Sequence, residues 1–170
     1  MAKIKFTNND LEETKILAES IKKIDQIDSE YVNSISDEIF KLQPFFLTVL
    51  LGHRLDISME ELEEVMKIYF VVWEYFRLDP NVLKKQVTES LFNKVQKRNI
   101  EMLKYSEGES TENDKLEIYS SDLQNLKSKS LLSAIFFRFN ERSTLKHMDI
   151  EKKGIIMIGI KSFIECFETI

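Results

Sequence analysis

Residues that interrupt helices and strands are scarce in this chain, which has four glycines and two prolines among 170 residues. Glycine and proline form most tight turns and end most regular elements. The dipeptides typical of two-residue hairpins, Asn-Gly, Asp-Gly and Gly-Gly, do not occur. Because a sheet of many antiparallel strands needs several such turns, the sequence predicts an all-α protein.

Length and composition favour a single folded domain over residues 1–170. A chain of this length buries about 70% of the surface that its unfolded form exposes, which is enough for a core without disulfides or metals. The hydrophobic fraction of 43% and the charged fraction of 31% are those of a globular protein. The longest run without a charged residue or histidine covers 42–52, and a membrane helix needs roughly 18–20 such residues. We therefore expect no association with a membrane.

Charge and cysteine content indicate the cytoplasm. Cys166 is the only cysteine, so no intramolecular disulfide can form, and residues 1–10 lack the apolar stretch of a signal peptide. The net charge of −5 favours solubility and disfavours general binding of nucleic acids. The chain is thus expected to be an acidic cytoplasmic protein.

Apolar residues recur with helical spacing along most of the chain. Pro44 interrupts the second helical region, and it either kinks one helix or separates two. Because the connections are short, we expect one bundle of five to seven helices in which consecutive helices are mostly antiparallel neighbours. The predicted helical regions are 8–27, 28–54, 58–77, 80–105, 115–139 and 149–168.

Capping signals mark the start of several helices. Ser58 followed by Glu61 is a capping box, and Asn9 with Glu12 has the same spacing. Asp79-Pro80 starts a further helix, since proline suits the first helical position. The predicted apolar face of the first helix comprises Leu11, Leu17, Ala18, Ile21 and Ile24. The predicted inner stripe of helix 80–105 comprises Val87, Leu91, Val95 and Met102.

Residues 105–114 read YSEGESTEND and are polar and acidic. They include Gly108, and such a composition is typical of a surface loop. The sequence therefore predicts a mobile acidic loop at 105–114, which is also the expected site of proteolytic cleavage.

One charged residue interrupts the aromatic middle of helix 58–77. Glu74 is the only charge between Ile68 and Phe76, and a buried carboxylate needs a partner. Arg77 is close enough in sequence for an exposed ion pair at the edge of the helix, which is the simpler interpretation. The alternative is a ligand-binding pocket between helices, lined by Tyr69, Trp73, Glu74 and Arg77.

The helix over 81–105 is locally basic. Its cations Lys94, Lys97, Arg98 and Lys104 can share one face, which could follow the phosphates of a nucleic acid. Glu101 lies on that face, no partner helix follows through a recognisable DNA-binding turn motif, and lysines late in a helix also suit its dipole. Nucleic acid is therefore the less favoured partner.

No segment has the signature of an enzyme, a metal site or a cofactor site. The four glycines form neither a phosphate-binding loop nor a nucleophile elbow. His53 and His147 lack the spacing of metal ligands. Cys166 lies among phenylalanines beside Glu165, which disfavours a reactive thiolate. The first-turn glutamates Glu60, Glu61, Glu63 and Glu64 suit a solvated helix start better than a metal.

Binding to another protein is the function that remains. Residues 44–51 and 155–160 are more apolar than one helical face requires, so each is either central to the bundle or part of a self-association surface. We predict a non-enzymatic adaptor, inhibitor or regulator with a protein partner, able to form homo-oligomers. The alternatives are an enzymatic or ligand-binding bundle with a pocket near Trp73, and a nucleic-acid binder through helix 81–105.

Overall fold

The computed structural model describes residues 7–108 and 121–170, and these two ranges contain helices and turns but no strand. The prediction of an all-α fold is confirmed. Nine α-helices and one short 3₁₀-helix, His53–Leu55, have both ends inside these ranges. The α-helices are α1 (Asn8–Ile24), α2 (Ser29–Leu42), α3 (Pro44–Gly52), α4 (Met59–Phe76), α5 (Pro80–Lys84), α6 (Glu89–Glu107), α7 (Lys129–Glu141), α8 (Ser143–Lys146) and α9 (Ile150–Thr169).

The helices outnumber the predicted five to seven because several predicted helices are broken. Pro44 separates two helices: Gln43 has a non-helical φ of −138° and ψ of 63°, and Pro44 is the first residue of α3. Proline fits there because its missing N–H would have no partner in a first turn. The predicted helix 80–105 is also two helices, since Lys85 is extended and the Thr88 side chain caps α6.

The start of α1 differs from the prediction by two residues. Thr7 caps this helix in a capping box with Asp10, so the predicted box of Asn9 and Glu12 is wrong. Thr7 has extended backbone angles, whereas Asn9 already lies inside the helix. Leu17 and Ile24 of the predicted apolar face are buried, whereas Leu11 and Ala18 are exposed. The capping box of Ser58 and Glu61 at the start of α4 is present as predicted.

The core is built around the second half of α4, where every residue from Ile68 to Trp73 is buried. Helix α1 packs on α4 and α7, and α9 packs on α6 and α4. Aromatic rings from four helices meet in the core at centroid distances between 4.3 and 6.5 Å. They are Phe45, Phe46, Tyr69, Trp73, Phe76, Phe92, Phe163 and Phe167. None of the helices in the described ranges combines the length and the apolar content needed to cross a bilayer.

Helix α6 buries a different stripe from the predicted one. Its buried positions are Phe92, Asn99 and Ser106, while Leu91, Val95 and Met102 are only partly buried, and the buried Val87 precedes the helix. Asn99 faces α9, which supplies its partners Ser162 and Glu165. The helix continues through Glu107, so residues 105–107 of the predicted loop are its last turn. Residues 109–114 of that loop lie outside the described residues, as do 115–120 of the predicted fifth helix.

Candidate functional site

The four residues predicted to line a pocket all belong to the last turns of α4 or follow it directly. Glu74 and Arg77 form the predicted ion pair, with 3.0 Å between Oε1 and Nη1. The pair is less exposed than predicted, because the Glu74 side chain is only 12% exposed and that of Arg77 30%. At this depth the carboxylate needs further partners, and neighbouring helices supply them.

The Glu74 carboxylate also accepts hydrogen bonds from α1 and α2. The Tyr31 hydroxyl on α2 donates to Oε1, and Lys23 Nζ on α1 lies 3.4 Å from the same oxygen. Burial, and after it the hydrogen bond to Glu74, raises the pKa of Tyr31, so the hydroxyl stays a donor at neutral pH. Lys23 also stands 5.0 Å from the centre of the Tyr31 ring, in a cation–π contact.

Glu38 on α2 completes this network from the other side. Its two oxygens accept from Arg77 Nη2 at 2.5 Å and from Trp73 Nε1 at 3.0 Å. Burial works to lower the pKa of Arg77, but the two carboxylates beside it raise that pKa overall. The Glu74 network, as we name it, joins α1, α2 and α4 with each carboxylate matched to donors. It comprises Lys23, Tyr31, Glu38, Trp73, Glu74 and Arg77.

Tyr69 and Trp73 have no solvent-exposed surface. The Tyr69 hydroxyl lies 3.0 Å from His53 Nε2, and burial raises the pKa of Tyr69. An open depression of about 420 Å³ lies beside the network, lined by the surface side chains Glu19, Lys22, Lys23 and Gln26. Because neither ring reaches solvent, the geometry favours a packing role for both. A ligand pocket near Trp73 stays a prediction, since a ligand in such a pocket would need an accessible ring.

The predicted nucleic-acid face of α6 is partly engaged by this chain's own carboxylates. Arg98 Nη2 lies 2.8 Å from Glu165 Oε1, and Lys97 Nζ lies 4.0 Å from Glu101. Glu165 is buried and also accepts from Asn99 Nδ2 at 2.6 Å and from Lys161 Nζ at 2.9 Å. Arg98 therefore helps to hold α6 on α9. Lys94 and Lys104, the other two predicted cations, also belong to α6.

Cys166 lies next to this contact on the buried face of α9. Burial, and to a smaller extent Glu165, raises the pKa of its thiol to about 12. A thiol held in the neutral form is a poor nucleophile and a poor metal ligand. The geometry gives this residue a packing role in the core.

Three of the four acidic residues in the first turns of α4 are matched to partners within the chain. Glu61 accepts from the Ser58 backbone N–H at 2.8 Å, in the capping box. Glu63 and Glu64 lie 2.9 and 3.1 Å from Lys67 Nζ, and Glu64 is 3.4 Å from Arg138. Among the residues that the structure describes, no three His, Cys, Asp or Glu side chains are grouped so that they could hold a metal ion.

The turn between α3 and α4 exposes three large apolar side chains. Leu51, Leu55 and Met59 are 51%, 81% and 73% exposed and fall within nine consecutive residues. We call these three residues the α3–α4 corner. Between them, His53 turns inward to Tyr69, and the two rings meet edge to face at 5.8 Å. The sequence predicted an apolar excess at 44–51 but did not indicate that it continues through Leu55 and Met59.

Acidic side chains surround the α3–α4 corner. Asp56, Glu60 and Glu63 are exposed in and beside the turn, and Arg54 is the one exposed cation between residues 51 and 63. Glu63 is engaged by Lys67, so Asp56 and Glu60 against Arg54 leave this apolar surface with a small excess of negative charge. Such a combination can hold an apolar group that carries positive charge nearby.

Comparisons with protein-family models, with curated proteins and with solved structures find no match to this chain. Its function therefore has to be argued from its own surface and internal contacts. Of the arrangements described above, the Glu74 network is closed and internally satisfied, whereas the α3–α4 corner is open.

Proposed function

We propose that this chain binds another protein through the α3–α4 corner. The observation that carries the proposal is the exposure of Leu51, Leu55 and Met59 within one nine-residue stretch. Single exposed apolar residues are common on soluble proteins, but a group of large ones marks a contact surface. Burying a fully exposed large apolar side chain contributes about 1.5–3 kcal/mol before the cost of association, so Leu55 and Met59 are the main anchors and the half-exposed Leu51 adds less.

The corner is held in place before any partner arrives. Phe46 and Leu50 fix α3 in the core, and the Ser58 capping box fixes the first turn of α4. His53 joins the turn to the fully buried Tyr69. A surface that is already ordered loses little conformational entropy on binding, which favours affinity.

The proposed partner presents apolar side chains accompanied by lysines or arginines. Its positive charges are attracted by Asp56 and Glu60, and an amphipathic helix carries both features on one face. Binding of this kind suits an adaptor, an inhibitor or a regulator. The proposal includes the organisation of the chain as one domain and its location in the cytoplasm. A ligand pocket near Trp73 and a nucleic-acid site on α6 remain alternatives that none of the contacts described above favours.

A synthetic amphipathic helix of leucine and lysine, labelled with a fluorophore, tests this proposal. We expect it to bind the protein at low salt and to bind the Leu55→Asp variant at least about tenfold more weakly, a loss of about 1.4 kcal/mol. This change adds a negative charge, so attraction by charge alone would instead tighten binding of the basic peptide.

The matched control is Leu11→Asp, which adds the same charge at another exposed leucine on α1. It should bind the peptide as the unaltered protein does. Equal binding by both variants, or no binding at all, would contradict the proposal, provided that circular dichroism shows both variants to be folded.

A further inference from the structure

A second group of exposed apolar side chains lies where α2 meets α5. Phe40 on α2 is 68% exposed, Leu83 on α5 is 43% exposed, and Leu78 just before α5 is 83% exposed. We call these three residues the α2–α5 face. Nothing in the Glu74 network or in the α3–α4 corner uses them.

The side chain of Gln43 holds the two helices of this face together. Its Nε2 donates to the carbonyl oxygens of Val82 and Lys85, both at 2.7 Å, and its Oε1 accepts from the Val87 N–H at 2.9 Å. Gln43 is 1% exposed, so these bonds are shielded from water. Phe40 lies about one turn before Gln43 on α2, and Gln43 binds Val82 and Lys85, which flank Leu83 on α5.

The charges around the α2–α5 face have the opposite sign to those of the α3–α4 corner. Lys41, Lys84 and Lys85 are exposed there, against the exposed Asp37. Asp79 also lies beside the face, where its carboxylate accepts from the Asn81 N–H at 2.8 Å as the cap of α5 and keeps its charge, so three lysines stand against two aspartates. One surface is thus apolar and acidic, and the other is apolar and basic.

The two surfaces lie at opposite ends of the same pair of helices. Helix α3 begins directly after Gln43, at the α2–α5 face, and ends at the α3–α4 corner. Helix α4 begins at that corner and ends at Phe76, two residues before Leu78. The nine residues of α3 span about 14 Å and the 18 residues of α4 about 27 Å, so these rigid helices hold the two surfaces apart within one copy.

We infer that the partner of the α3–α4 corner is the α2–α5 face of a second copy of this chain. This inference rests on the proposed function, because it names the partner of the same site. The pairing buries apolar side chains of both surfaces and places Lys84 and Lys85 against Asp56 and Glu60. Because the two surfaces differ, the contact is heterologous, and copies add head to tail.

Two variants that each block one surface test this inference by sedimentation equilibrium. Leu55→Asp blocks the corner and keeps the face, whereas Phe40→Asp blocks the face and keeps the corner. Leu78→Asp serves as a second variant of the face, since that side chain is 83% exposed and its replacement leaves the core intact. Leu11→Asp is again the charge control.

The unaltered protein and the Leu11→Asp variant should grow beyond dimers as their concentration rises. Each blocked variant alone should associate at least about tenfold more weakly. An equal mixture of Leu55→Asp and Phe40→Asp should instead form a 1:1 dimer and stop there, because each member has one working surface. High salt should weaken that dimer, since exposed charges are screened.

Three results would overturn the inference. The first is that the unaltered protein and the mixture stay monomeric up to millimolar concentration. The second is that both blocked variants associate as strongly as the unaltered protein. The third is that only Leu55→Asp loses association, which would indicate corner-to-corner pairing. The peptide experiment separates the two proposals: monomers that still bind the peptide at the corner remove self-association and keep the proposed function. A protein that neither self-associates nor binds the peptide would contradict both proposals.

Discussion

The two ends of α4 differ in how they meet their surroundings. At its beginning, Met59 and Glu60 are exposed, and the Ser58 capping box holds the first turn. At its end, Trp73 is fully buried and Glu74 almost so, and both reach polar partners on other helices. The capping box joins residues three positions apart, whereas the hydrogen bonds of Trp73 and Glu74 to α2 join residues 35 and 43 positions apart.

This difference shows why an unusual residue in the sequence need not mark a site. Glu74 was the conspicuous carboxylate, yet Tyr31, Lys23 and Arg77 satisfy it within the chain. A satisfied buried network contributes to a unique packing but leaves little for a ligand to bind. The beginning of α4 instead exposes apolar surface, which a partner protein can bury on binding.

Replacement of Trp73 should produce the largest effect on stability. Trp73→Ala removes a fully buried indole and leaves a cavity, so we expect the free energy of unfolding to fall by about 3–5 kcal/mol. Leu55→Ala at the other end of α4 should change it by less than about 0.5 kcal/mol. Urea denaturation of both variants measures the difference, and similar losses would contradict the contrast between the two ends.

Glu74→Gln should lower the free energy of unfolding by less than Trp73→Ala does, because the amide keeps the shape of the side chain and one acceptor oxygen. It removes the charge that Arg77 and Lys23 face, and hydrogen bonds to charged groups contribute about 1.5–3 kcal/mol each. We expect a loss within that range in urea denaturation. Glu101→Gln is the control on exposed surface and should cost less than about 1 kcal/mol. If Glu74→Gln left the free energy of unfolding unchanged, the network would not contribute to stability.

His53, which joins the corner to the core, should make stability depend on pH. Burial lowers its pKa in the folded protein, although Asp56 opposes the shift. Stability is therefore complete above the unfolded histidine pKa of about 6.5, and it falls below that pH as the unfolded state takes up the proton.

Denaturation midpoints between about pH 7 and pH 5 check this, since that window lies above the ordinary carboxyl range. We expect a smaller effect than that of Glu74→Gln. His53→Gln should remove the dependence and His147→Gln should keep it. A slope that survives His53→Gln would assign the dependence to another group.

Local signals in the sequence predicted the fold class and several helix starts. The capping box joins Ser58 to Glu61, and Pro44 affects only the backbone within one turn of it. Both effects can therefore be predicted from the neighbouring sequence. The contacts that close the Glu74 network join residues 35 to 51 positions apart, such as Glu38 with Trp73, and no local pattern encodes them. The burial of Asn99 was missed for the same reason, since Glu165 and Ser162 on α9 supply its partners.

The exposure of an apolar side chain could not be predicted either. Leu50 and Leu51 are neighbours of identical chemistry, yet the first is 2% and the second 51% exposed. Helical periodicity distinguishes two faces of an isolated helix, but α3 is apolar nearly all round. Only the placement of α3 against α4 and α9 decides which of its faces is left open.

Met59→Gln should give the smallest change in stability and still test the open end of α4. Glutamine and methionine have similar helix propensities, and a 73% exposed side chain loses few contacts, so unfolding should change by less than about 0.5 kcal/mol. Binding of the leucine–lysine peptide should nevertheless weaken, because an amide replaces an apolar contact. A variant that is clearly destabilised would show that Met59 packs against the protein, and one that binds the peptide unchanged would restrict the corner to Leu51 and Leu55.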